Sequence, residues 1–306
     1  MRVCCDRHLT RYARALLLLV AVALVSGCSS IRLVYSNLDR AVVWRTTDYV
    51  DLNRAQRQWL RQEARVYLHW HRYEQLPQWA SLLGELEAGV NNGTTFELED
   101  IKRFEDRAQE LIEEMTRQAL PAAVDLMAGF SDEQVAGLAR ALAESNEDLN
   151  ADYEGLPEDE QRAVWRQKTR DGLDRWIGRL TPEQEQILEA VSLEIEPDNR
   201  EWVGFRKLWQ ADLIAALDQR DQLDAFEERV YELMLHRERW HTERYSEISI
   251  AHQAIYRRFA VDLLNSLDAG QRRRLASRVG GLVRDFEILA AANRSAPAPA
   301  GPAPGA

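Results

Sequence analysis

The chain has 306 residues, with 39 Lys+Arg against 50 Asp+Glu and a formal net charge of −11. A chain this acidic is repelled by nucleic acid and by anionic lipid, so no nucleic-acid partner is expected. Its three cysteines, Cys4, Cys5 and Cys28, all lie near the N-terminus. The remainder therefore has no cysteine for a disulfide or a thiolate metal site, and its stability must come from packing.

Arg2, Arg7, Arg11 and Arg14 form a positive leading region. Residues 15–25 follow as an uncharged apolar run of 11, ahead of Val25-Ser26-Gly27-Cys28. The run is shorter than the roughly 20 helical residues that span a bilayer, and the order is that of a secretory signal. The last four residues resemble the lipobox read by lipoprotein signal peptidases. That resemblance implies cleavage between Gly27 and Cys28, diacylation of the Cys28 thiol and usually a third acyl chain on the new amine. Two or three chains give stable anchoring where one does not. The other reading is an ordinary signal cut after Gly27 that leaves Cys28 free; a reactive thiol at an exported terminus weighs against it. Ser29 stands where an aspartate commonly retains lipoproteins at the inner membrane, which favours the outer membrane and its periplasmic face. Without the signal the chain keeps 35 Lys+Arg against 49 Asp+Glu.

From residue 31 to 292 Gly and Pro are sparse, Leu, Ala, Glu, Gln and Arg dominate, and no segment sustains two-residue alternation. This predicts an all-α fold, an elongated multi-helix bundle. Helix starts recur along it. Leu52-Asn53-Arg54-Ala55-Gln56 reads as an apolar N′ residue, an N-cap and a Gln at N3, the grammar of a capping box. The same grammar returns at Phe130-Ser131-Asp132-Glu133-Gln134, Leu180-Thr181-Pro182-Glu183-Gln184 and Leu267-Asp268-Ala269-Gly270-Gln271. Leu156-Pro157-Glu158-Asp159-Glu160-Gln161 is a looser fifth copy. Leu52, Trp79, Phe104 and Phe130 are followed in the same order by Leu180, Trp209, Phe226 and Leu267, at offsets of 128, 130, 122 and 137. Two tandem related units are therefore expected, with chance likeness between Glu-rich helices as the alternative. The boundaries read as a signal at 1–27, a lipidated N-terminus and lead-in helix at 28–51, a first unit at 52–150, a connecting helix at 151–178, a second unit at 179–292 and a disordered Pro/Ala tail at 293–306.

Within the first unit Ile101, Phe104, Ala108, Leu111, Met115, Ala119, Ala122 and Leu126 fall on one helical face. The second unit repeats this with Leu223, Phe226, Val230, Leu233, Trp240, Ala251 and Ile255, interrupted by Arg237, Arg244 and Glu247. Either that helix is partly exposed or those charges pair across an interface. Pro77 and Pro121 should end or kink their helices.

Leu180-Thr181-Pro182-Glu183-Gln184 is a literal L-T-x-x-Q motif and resembles the hallmark of the Spy/CpxP-type periplasmic proteins. These are all-helical chaperones, stress modulators and metal-responsive relatives. Residues 180–290 resemble that family's order of motif, long charged helix and second motif, and residues 52–145 do so more weakly. Leu33-Val34-Tyr35-Ser36-Asn37-Leu38-Asp39, Asp48-Tyr49-Val50-Asp51-Leu52 and His69-Trp70-His71-Arg72-Tyr73-Glu74-Gln75-Leu76-Pro77 resemble a group of uncharacterised Gram-negative lipoproteins, a likeness that covers most of the chain. The departures from the Spy/CpxP type are a lipid anchor, two units in one chain and a strongly negative charge.

His69 and His71 lie about 200° apart on a helix and cannot share a metal. His236 and His241 are awkwardly spaced, and ligation across helices with His241 or His252 stays open beside a packing role. Trp59, Trp70, Trp79, Trp202, Trp209 and Trp240 fit apolar helix faces, as core or as part of an aromatic groove. Glu105, Arg107 and Glu110, and Glu227, Arg229 and Glu232, read as surface charge pairing. No nucleophile elbow, zinc-protease, phosphate-loop or dinucleotide motif is present, so no catalytic residue, metal or cofactor is expected. The expected function is a membrane-anchored, non-enzymatic binding role, chaperone-like or partner-binding. The alternative is an envelope scaffold or stress or metal sensor with one specific protein partner.

Overall fold

The computed structural model describes residues 30–151 and 155–292. The cleavage and acylation positions Gly27 and Cys28, and the tail from residue 293, lie outside the described residues. Among the described residues every regular element is helical, and no helix is long and apolar enough to cross a membrane.

The lead-in is two short helices rather than one, α1 (Ser30–Tyr35) and α2 (Leu38–Thr47). Helix α3 (Arg54–Trp70) runs through a π-helical turn (His71–Gln75) into α4 (Leu76–Asn92). The Leu76 N–H reaches back five residues to the His71 carbonyl. Pro77, which has no N–H to donate, sits just past that turn and does not end the helix. Gly93 closes α4 in the left-handed region (φ 66°) and the chain reverses into α5 (Leu98–Ala128). Pro121 lies inside α5 without ending it. Helix α6 (Asp132–Ala151) completes the first half.

The connecting segment is α7 (Glu158–Ile177). The second half runs α8 (Pro182–Glu194), α9 (Asn199–Leu217), α10 (Leu223–Leu235), a 3-10 turn (Arg237–Trp240), α11 (Glu243–Asn265) and α12 (Ala269–Ala291). The interrupted second stripe is thus two helices. His236 leaves helical space (φ −124°), Trp240 is buried, and the Thr242 hydroxyl caps α11 by accepting from the Tyr245 N–H at 3.0 Å. Arg237 lies over the Phe205 and Trp209 rings and Arg244 pairs with Glu196, so two of the three interrupting charges have partners on other segments. The first stripe also departs from expectation. Ala119 is exposed and Leu120 and Val124 are buried instead. The reason is a change of neighbour, because this end of α5 joins Phe226, Val230 and Leu233 of α10.

The helices of the two halves pack across one another. Helix α4 lies along α12, and α9 along α6, while α5 packs on α10 and α11. The two larger cores follow the same exchange. One gathers Leu52, Leu60, Phe130 and Leu138 of the first half with Leu217 and Phe226, which flank the α9–α10 turn. The other gathers Leu180, Leu188, Leu267 and Leu275 of the second half with Val90 and Phe96, which flank the α4–α5 turn. Each helical turn therefore plugs the core built around the other half's helix starts.

Candidate functional site

The four principal helix-start motifs are all capping boxes. The N-cap side chain accepts from the N3 amide at 2.9 Å for Asn53, 3.3 Å for Ser131, 3.3 Å for Thr181 and 2.8 Å for Asp268. Gln56, Gln134, Gln184 and Gln271 return the bond by accepting from the N-cap amides at 3.0–3.1 Å. The leading apolar residues Leu52, Phe130, Leu180 and Leu267 are all buried. The fifth copy is not a capping box. Its Gln161 amide donates to the Leu156 carbonyl at 2.9 Å, because Pro157 offers neither a side-chain acceptor nor an N–H.

Sequence reading missed what the glutamines do next. In each half the two capping glutamines face each other, each amide N–H donating to the other's carbonyl oxygen. Gln184 and Gln271 do so at 2.8 Å in both directions, Gln56 and Gln134 at 3.2 and 2.7 Å. Each also donates to the backbone carbonyl two residues before the partner's N-cap: Gln56 to Gly129, Gln134 to Asp51, Gln184 to Ser266 and Gln271 to Arg179. One amide thus satisfies a helix-start N–H, a second amide and a loop carbonyl, and clamps two helix starts together. Gln184 and Gln271 are buried, and Gln56 and Gln134 half-buried. These motif residues form struts of the fold.

The π turn gathers the second cluster. Tyr35 of α1 places its hydroxyl 2.9 Å from His71 Nδ1 and 3.1 Å from the Leu68 carbonyl. Arg72 lies over the Tyr35 ring at 5.1 Å, and His69 meets Tyr73 edge-on. Burial pushes the Tyr35 hydroxyl up to about 12, against the pull of Arg72, and pushes His71 below its ordinary value. The fully buried Gln75 amide bonds Glu114 of α5. His69 Nε2, Arg72 Nε and Gln75 Oε1 are buried without a hydrogen-bond partner among the described residues. The wide turn holds this polar knot where α1, α5 and α12 converge on the helix.

The third feature is a groove of about 660 Å³ between the start of α5, the end of α8 and the middle of α11. Leu98, Ala251, Ala254 and Ile255 give it an apolar floor. Its rim carries Glu99, Lys102, Glu194, Arg257 and Arg258. Three of these rim charges are cations, and each is already paired: Lys102 with Asp106, Arg257 with Glu105 and Arg258 with Glu194. Leu98 is 50% exposed, and Ile250, one turn before Ala254, is 69% exposed. Sequence reading put Ala251 and Ile255 on a core stripe. Ala251 is exposed.

The remaining candidates are dispersed. His241 packs between Phe205 and Tyr245, and His252 meets Tyr256 and stands 3.7 Å from Asp198. Among the described residues no group of three or more His, Cys, Asp or Glu side chains is placed to hold a metal. Of the six tryptophans assigned to helix faces, Trp240 is buried and the others are half-buried. Trp209 donates to the Leu233 carbonyl at 2.7 Å, and none of the six lines the apolar groove. Glu105 pairs with Arg257 and Arg107 with Glu85, across helices, and Arg229 pairs with Glu232 within α10 and with Asp212 of α9.

The model of a family of unknown function, DUF6279, matches residues 48–246, a span that holds the first glutamine clamp, the π turn and the α9–α10 turn. The chain belongs to that family. No curated protein and no solved structure matches it. The DUF6279 match stops within α11, ahead of the groove's Ala251, Ala254 and Ile255 and of α12, so it leaves out the α12 side of the α4–α12 packing.

Proposed function

We propose that the chain is a lipoprotein held through Cys28 at the periplasmic face of the outer membrane, and that its helical body binds apolar segments of other envelope proteins without acting on them chemically. The observation that carries the binding role is the α5–α8–α11 groove. An open apolar floor costs solvation free energy unless something covers it. Because the rim cations are already neutralised by neighbours, the groove favours an apolar occupant over a charged one. The occupant that fits is an exposed apolar stretch of an unfolded or partly folded envelope protein. The likeness of Leu180-Thr181-Pro182-Glu183-Gln184 to the Spy/CpxP-type motif supports the same reading. The reciprocal packing supports a further element of it, that two related units are fused into one pseudo-dimer.

A thermally unfolding substrate tests the role. Equimolar protein should suppress its aggregation, and the Leu98→Asp/Ala254→Asp variant should lose most of that effect with its own melting temperature nearly unchanged. Both positions are exposed, and surface changes of this kind shift stability by about 0.5 kcal/mol or less. Failure of the unaltered protein to suppress aggregation, or full suppression by the variant, would sink the proposal.

A further inference from the structure

We infer that α1 and α2 form a docking face for an anionic bilayer surface, with Leu33, Val34 and Trp44 seated at the headgroup level. The inference rests on the lipid anchor at Cys28 and adds an orientation to it. Leu33, Val34 and Trp44 are 64%, 60% and 68% exposed, among the most exposed large apolar side chains of the described residues. Tyr35, Leu38, Asp39 and Val43 of the same two helices face the body instead. The apolar outer face is therefore a real surface, fixed in place by its inner side.

What covers it is indicated by reach and charge. Leu33 lies five residues after Cys28, and five residues span at most about 18 Å. An acylated Cys28 would hold this face within that distance of the lipid. Between residues 31 and 72 the chain carries eight Arg against four Asp/Glu, whereas residues 73–306 carry 27 Lys/Arg against 45 Asp/Glu. The anchor end is basic in a molecule that is otherwise strongly acidic. Five of the eight arginines pair with carboxylates, so exposed Arg40 and Arg54 carry the attraction to an anionic leaflet, which repels the rest of the chain and would stand the groove-bearing body away from the membrane. A tryptophan and branched aliphatic residues beside arginines suit the headgroup boundary.

The processed chain has no cysteine besides Cys28, so single substitutions can carry a nitroxide label. Val34→Cys and Ala41→Cys probe the face, and Leu208→Cys on α9 is the control. Full-length protein made in cells is reconstituted in phosphatidylglycerol-containing vesicles, and mass spectrometry reads the state of residue 28. Labels at 34 and 41 should become accessible to oxygen and shielded from a nickel chelate several-fold more than the label at 208. The contrast should shrink in phosphatidylcholine vesicles or when Arg40 and Arg54 are changed to Gln. Labels at 34 and 41 that stay in water on acylated protein overturn the docking face and leave the anchor intact. An unmodified Cys28 overturns the anchor, and the same labels on a Cys28→Ser background with added phosphatidylglycerol vesicles then decide the docking face separately. Shielding of both labels without lipid, through self-association, also overturns it in favour of a dimer contact.

Discussion

At the scale of single residues, the buried glutamines carry more than their local motif requires. Gln184→Ala would orphan the Thr181 N–H, the Ser266 carbonyl and half of the Gln271 amide. Chemical denaturation should show a loss of about 2–3 kcal/mol, against about 1 kcal/mol for Gln56→Ala, whose clamp is partly wet. In a double-mutant cycle Gln184→Ala and Gln271→Ala should couple by more than about 0.5 kcal/mol; additive effects would refute the clamp. His71 gives a pH signature. Burial lowers its folded pKa, so between that value and about 6.5 the unfolded chain binds the extra proton. Stability should therefore be full above about pH 6.5 and fall as the pH drops through that window, and His71→Gln should flatten that part of the profile. The capping boxes were legible in the sequence because each is an i to i+3 contact. The Gln184–Gln271 bond was not, since it joins positions 87 apart and nothing in either motif names its partner.

At the scale of elements, α2 is held to α3 by a compact charge cluster. Asp39 is 8% exposed and accepts from Arg61 at 2.9 Å and from Arg65 at 3.0 Å. Burial works to raise its carboxyl, and the two guanidinium groups outweigh it and hold it below its ordinary value. Its contribution is thus present above the unfolded pKa of about 3.9 and lost as pH falls through the folded value. Asp39→Asn should cost about 1–3 kcal/mol at neutral pH and raise amide exchange in α2 first. At the α4–α12 contact, α12 presents a buried glycine to a flexible glutamate of α4. A Cβ at buried Gly280 would run into the Glu87 carboxylate. Glu87 can swing aside from a methyl group, so Gly280→Ala should be tolerated, whereas the bulk of Gly280→Leu at this buried position should lower stability by about 1–3 kcal/mol. Helix starts and most of the apolar faces were readable from capping chemistry and 3.6-residue spacing. The break at 236–242 was not, because Arg237-Glu238-Arg239-Trp240-His241-Thr242 holds no Gly or Pro and continues a helical composition. Thr242, three residues before Tyr245, was the one local sign.

At the scale of the whole molecule, the two larger cores draw on both halves, and a small cluster of Val191, Ile195 and Ile255 lies within the second. Heat or denaturant should give one cooperative transition, with amides of α4 and α12 opening together in hydrogen exchange; two separated transitions would contradict the interlocked architecture. The exchange of helical turns was beyond the sequence, which shows two similar runs but not which run closes which core. The groove was illegible for the same reason, because α5, α8 and α11 meet only in three dimensions. The central claim, that this groove takes apolar segments, is tested most directly by placing a photoreactive crosslinker at Ala254→Cys and at Leu208→Cys and adding a permanently unfolded apolar protein. The account predicts saturable crosslinking at 254, weak at 208 and competed by unlabelled client. Equal crosslinking at both positions, or none at 254, would contradict it.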